Sequence, residues 1–232
     1  MENDPRDRRE NPLGIRPEQI WNVQGVIQQA VMLLLMIIAY STVYFLTRGS
    51  PGKFPGLEAW LSALHGLLRG SRFIPGIFGG AATGILLAGG LFLLDAVVGW
   101  IGRRDLRAWL HRSDFMLPRT REQRKWAWSI AVTGSVVEEI LFRGFIFLAI
   151  LHMWDSWLWA ALILSAVFGF LHAGVQGFWS TLWIFMISML LCYFVTVGKS
   201  MYFLVAVHMT VNVMNLFFLP ALARKIPPAE DP

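Results

Sequence analysis

Six apolar stretches, at about residues 20–47, 73–101, 126–151, 157–172, 178–197 and 201–219, decide what this chain can fold into. A helix needs about 20 mostly apolar residues to cross roughly 30 Å of hydrocarbon. Only helices and closed barrels satisfy every backbone N–H and C=O in that medium, and long apolar runs without alternation read as helices. The expected fold is all-α: a polytopic membrane helical bundle of about six transmembrane helices. Composition agrees, since 15% of the 232 residues are charged where a soluble domain carries about 25%. Trp21, Trp60, Trp100, Trp126, Trp128 and Trp157 fall near the ends of the runs, where aromatic side chains meet lipid headgroups. The fourth stretch is the shortest, which implies an earlier start or an end below the membrane surface.

Residues 1–19 are polar and contain Pro5, Pro12 and Pro17, a composition that predicts a disordered tail. The first apolar run carries no small-residue cleavage site and reads as a retained anchor. Residues 20–219 form one bundle, and 220–232 a short C-terminal tail. Within the second run, Gly80 and Gly84 form a G-x-x-x-G pattern that lets helices approach closely. In the loop that follows the first run, Leu57–Leu68 predicts a short helix lying on the membrane interface. The connector 102–125 is strongly basic. Lys and Arg outside the spans number 14 on the side of the N-terminus and 5 on the other, so both termini are expected in the cytoplasm. The net charge of +5 follows from that orientation and implies no nucleic-acid partner. A single cysteine, Cys192, excludes a disulfide framework and any Cys-based zinc site.

Polar side chains inside a membrane are expensive and must be paired or functional. The third run places Glu138 and Glu139 about 12 residues in, roughly 18 Å along a helix. Glu139 and Arg143 stand at i, i+4 and can pair along one stripe. Glu138 projects about 100° away and needs a partner from elsewhere, or a proton. The fourth run ends at His172, and the sixth carries His208 and Asn212 at i, i+4 on one face. With both termini inside, all of these can converge in the cytoplasmic half of the bundle. Taken singly, an intramembrane His or Asn is helix–helix glue and Glu139–Arg143 a structural ion pair. Together they exceed what packing requires. Asp95 near a helix end, and His65, His111 and His152 in loops or at span edges, stay with the bland reading, as does Cys192.

Glu138-Glu139-x-x-x-Arg143, Phe168-x-x-x-His172 and His208-x-x-x-Asn212, in that order and each in a membrane span, resemble the three signature motifs of the CAAX-protease and bacteriocin-processing (CPBP, or Abi) intramembrane endopeptidases. The resemblance covers about residues 126–219 and leaves the first two spans outside. It implies a helical bundle with a water-filled cavity open to the cytoplasm. There Glu138 and His172 hold and activate a water, His208 and Asn212 stabilise the oxyanion, and Glu139 with Arg143 tunes Glu138. It also implies a peptide or protein substrate at the membrane, with lipids as the surrounding partner. The short chain is similar to bacterial members, which places it in a plasma membrane. Glu138, His172 and His208 are also a set of zinc-ligand types. H-E-x-x-H is absent, and the reading favours no cofactor.

Two other readings compete. A proton-relay transporter would pass protons along Glu138, His172 and His208, but such proteins show repeated halves or broken helices, and the runs from 126 onward contain neither repeat nor Pro. A catalytically silent scaffold of the same family would not need intact motifs. Substrate identity and oligomeric state are not encoded in these patterns.

Overall fold

A computed structural model describes residues 17–69, 73–102 and 117–223. Most of the expected N-terminal tail, the centre of the basic connector and the last nine residues lie outside the described residues. Within them the chain is helical, with no strand. The elements are α1 (Pro17–Ile20), α2 (Val23–Gly49), α3 (Pro55–Leu67), α4 (Phe73–Ile101), α5 (Arg121–Glu138), a π-helical segment (Glu139–Phe147), α6 (Leu148–Trp154), α7 (Trp157–Thr196), α8 (Met201–Val213), a second π-helical turn (Met214–Phe218) and α9 (Leu219–Ala223). Among the described residues, three helices are long and apolar enough to cross a membrane: Val23–Gly49, Phe73–Ile101 and Met201–Leu222. Trp157–Ala173 and Ser180–Thr196 are shorter apolar helices.

The boundaries follow local chemistry. Asn22 caps α2, its side chain accepting from the Gly25 amide. α5 begins at Arg121, five residues before the apolar run expected at 126. Thr120 and Gln123 form a capping box there, each side chain accepting the other's backbone N–H at 3.1 Å. Asp155, in the left-handed conformation, ends α6, and Gly198 at φ +75° turns the chain into α8. Over 23 residues a straight helix rises roughly 35 Å. Yet Ser165 and Ser188 lie 2.9 Å apart, so the two arms of α7 run antiparallel against each other.

Burial sorts the helices by their neighbours. The most apolar window of α2 is 11% buried and that of α4 17%, against 39% for Met201–Leu222. Large apolar side chains such as Leu34, Leu35, Phe45, Phe78 and Leu86 point away from the bundle, as expected of surfaces facing lipid. α4 and α8 pack through a glycine stripe. A Cβ on Gly80 would stand 2.4 Å from the Phe203 carbonyl oxygen, and one on Gly84 2.7 Å from Thr210 Cβ. Gly76 continues the stripe against Ser200, whereas Gly89 and Gly90 have open space beside them. The expected close approach is therefore real at Gly80 and Gly84.

The helix expected at Leu57–Leu68 exists as Pro55–Leu67, and it turns its apolar face inward: Trp60, Leu61, Leu64 and Leu67 are buried. Trp60 Nε1 donates to the Phe145 carbonyl at 3.3 Å, and the two rings meet edge to face at 4.9 Å. Leu64 fills the space left by Gly144, where a Cβ would stand 3.0 Å from its Cδ1. α3 thus buttresses the π-helical segment. His65 and His152, expected in loops or at span edges, lie within α3 and α6, with His65 bonded to the Tyr40 hydroxyl.

Candidate functional site

The site forms where α5, the following π-helical segment, the first arm of α7 and α8 come together. Glu138 ends α5, and Glu139 opens the π-helical segment that carries Arg143. Such wide turns recur at functional sites. Here the turn separates two adjacent carboxylates into different surroundings.

Glu139 and Arg143 are both fully buried, and Arg143 Nη1 donates to Glu139 Oε1 at 2.9 Å. Arg143 Nη2 donates to Ser188 Oγ at 2.9 Å, and Ser165 Oγ donates to the same hydroxyl at 2.9 Å. The guanidinium carbon stands 4.9 Å from the Phe168 ring centroid, within cation–π range. The ion pair expected from the i, i+4 spacing therefore exists, and both arms of α7 support it. Glu139 Oε2 and Arg143 Nε are buried without a hydrogen-bond partner among the described residues.

His208 bridges the two carboxylates. Its Nδ1 lies 2.7 Å from Glu139 Oε1, and its Nε2 lies 3.7 Å from Glu138 Oε2. The carboxylate paired with Arg143 only accepts, so Nδ1 carries a proton and donates to it. Nε2 is left facing Glu138 across a gap too long for a direct hydrogen bond. The Glu138 side chain retains 29% of its exposure, where Glu139 retains none. The predicted contrast holds: one carboxylate is locked in an ion pair, and its neighbour stays open.

Asn212, one turn after His208 on α8, donates from Nδ2 to Ser135 Oγ at 3.3 Å, and Ser135 Oγ donates to the Ala131 carbonyl at 2.6 Å. α5 and α8 are therefore joined at two levels, Glu138 with His208 and Ser135 with Asn212. His172 stands to one side. Its Nδ1 donates to the Phe168 carbonyl at 2.8 Å, which leaves Nε2 as an acceptor. The Phe168 ring lies 4.6 Å from the His172 ring and 6.2 Å from that of His208. Phe168, the first residue of its motif, is thus the spacer that holds both imidazoles and the guanidinium in register. No hydrogen bond or ion pair joins His172 to Glu138 among the described residues. Among those residues, too, no group of three or more His, Cys, Asp or Glu side chains stands together as a metal-ligand set.

Sequence reasoning missed the serines. Ser135, Ser165 and Ser188 are fully buried, and each is a lone small polar residue in an apolar run, a signal that marks helix packing in general.

Residues 121–214 match the family model described as type II CAAX prenyl endopeptidase Rce1-like. Over these residues the chain is similar to the Rce1-like family. The match is consistent with the CPBP resemblance and supports a protease reading of these residues. The Rce1-like segment contains Glu138, Glu139, Arg143, His172, His208 and Asn212 and closes two residues after the last of them. The helices α2, α3 and α4 lie outside it. Comparison with curated proteins and with solved structures gave no match.

Proposed function

We propose that this chain is an intramembrane endopeptidase that hydrolyses a peptide bond of a membrane-associated substrate, of the prenylated CAAX class, with Glu138 as the base. The observation that carries the reading is the pairing of unlike neighbours: Glu139 is neutralised by Arg143, while Glu138 stays partly open against His208 Nε2. The reaction follows from those positions. A water bound between Glu138 and His172 attacks the scissile carbonyl carbon as its proton passes to Glu138. The new C–O bond leaves negative charge on the carbonyl oxygen. Asn212 and His208 are assigned as the donors that receive that charge; when charged, His208 donates from both ring nitrogens. The proton on Glu138 then passes to the amine nitrogen as the C–N bond breaks. No step is assigned to a metal.

The same reading gives the chain six spans. α5 through α6 and the two arms of α7 join the three helices of membrane length, with both termini and the site on the cytoplasmic side. The 14-to-5 distribution of Lys and Arg supports it. A Ser113→Cys variant should then resist impermeant thiol reagents in intact cells, and efficient labelling would invert the bundle.

The function is tested with an internally quenched farnesylated peptide ending in a Cys-aliphatic-aliphatic-X sequence, together with a survey of new C-terminal ends in membrane fractions. Wild type should cleave the probe and generate new ends that Glu138→Ala does not. Equal sets of ends from the two proteins would remove the protease reading.

A further inference from the structure

α2 is the least buried of the three helices of membrane length, and it lies outside the Rce1-like segment. Even so, it delivers a carboxamide to the site. Gln24 and Gln28 are exposed, whereas Gln29 is half-buried against α5. The approach is close: one turn earlier, a Cβ on Gly25 would stand 2.9 Å from Ile130 Cδ1. The Thr133 hydroxyl donates to Gln29 Oε1. A Cβ on Gly134 would stand 2.7 Å from Gln29 Nε2 and 3.6 Å from Glu138 Oε1. The amide nitrogen and the open carboxylate therefore border the same hollow, one that exists because residue 134 has no side chain.

We propose that Gln29 is a positioning residue for Glu138, its amide N–H groups holding the carboxylate in line for the attacking water. The proposal rests on the protease reading above and extends the site beyond the Rce1-like segment. Thr133 has one hydroxyl proton and two acceptors in reach, Gln29 Oε1 and the Ser129 carbonyl. When that proton goes to Gln29, the amide is oriented with its donors toward Glu138 and its carbonyl away. A carboxamide serving only as glue between helices needs the Thr133 contact and nothing more. Placing its donor beside a carboxylate across an empty glycine position gives it a second task.

The test uses purified full-length protein and the farnesylated probe, with kcat, KM and melting temperature measured for Gln29→Leu, Thr133→Val, the double variant and Gly134→Ala. Gln29→Leu should lower kcat about tenfold, the worth of one hydrogen bond, with KM unchanged. Thr133→Val should do the same by releasing the amide. The double variant should be no worse than either single, because both act through one contact. Gly134→Ala, whose new methyl overlaps the mobile end of Gln29 and makes only ordinary van der Waals contact with Glu138 Oε1, should displace the amide and lower kcat while the protein stays folded. Unchanged kcat in Gln29→Leu, a loss confined to KM or melting temperature, or effects that multiply in the double variant would each overturn the proposal. Glu138→Gln in the same assay separates the two levels. If it keeps turnover, the base assignment fails and Gln29 falls with it; if it is inactive while Gln29→Leu is normal, only the role of Gln29 is lost.

Discussion

The two faces of the helix carrying Glu138 and Glu139 differ in how far their polar groups are committed. On the closed face, Glu139, Arg143, Ser188 and Ser165 form a fully buried chain of contacts reaching both arms of α7. On the open face, Glu138 keeps part of its exposure and meets His208 across 3.7 Å, and Asn212 makes one long hydrogen bond to Ser135. Committed polar groups hold helices together, because buried charges without partners are costly in hydrocarbon. Uncommitted ones are available to bind and to move protons. His208 belongs to both faces, with Nδ1 on Glu139 and Nε2 turned toward Glu138. The difference teaches that position in the sequence does not decide the role of a carboxylate; its neighbours do.

That contrast can be broken from either side. The largest effect on stability is expected at Arg143→Ala, which leaves Glu139 buried and unpaired at a cost of about 3–5 kcal/mol. Denaturation in detergent should show the loss directly, and turnover should fall with it. Removing the charges together, as Glu139→Gln with Arg143→Gln, should recover part of the stability. A double variant melting no higher than Arg143→Ala would mean that the two residues are not an energetic pair.

On the open face, Asn212→Ala should leave melting nearly unchanged and lower turnover about 10²–10³-fold, as loss of one oxyanion donor does. A matching fall in stability would instead assign Asn212 to the packing of α8 on Ser135. A smaller perturbation sharpens the chemical side. Chelator should leave turnover intact if Glu138 acts on water unaided by metal; activity lost on chelation and regained with zinc would require His172 to swing into a ligand set with Glu138 and His208.

Much of the fold was legible because apolar runs of membrane length have few alternatives. Phe73–Ile101 appears where the hydropathy places it, and Gly80 and Gly84 meet α8 as close packing requires. The start of α5 was missed because Arg121, Glu122, Arg124 and Lys125 mask its periodicity, although Thr120 and Gln123 carried the capping signal. The π-helical segment has no sequence pattern of its own, since its hydrogen bonds shift without a change of composition. In the site, the Glu139–Arg143 pair and the shared face of His208 and Asn212 follow from helical spacing. The meeting of His208 with both carboxylates does not, since it depends on how α8 crosses α5. The packing of Ser165 on Ser188 was hidden because it depends on the two arms of α7 folding back on each other. Gln29 was hidden because it lies in the first span, which precedes all three motifs.

The most direct measurement compares Glu138→Gln with Glu139→Gln in purified protein, recording probe turnover and melting temperature for each. Glu138→Gln keeps the shape of the side chain but cannot take a proton from water. The account requires it to melt as wild type does and to retain no measurable turnover, while Glu139→Gln melts at a clearly lower temperature. Turnover in Glu138→Gln comparable to wild type, or a loss of stability there as large as at Glu139, would contradict the division of labour between the two carboxylates.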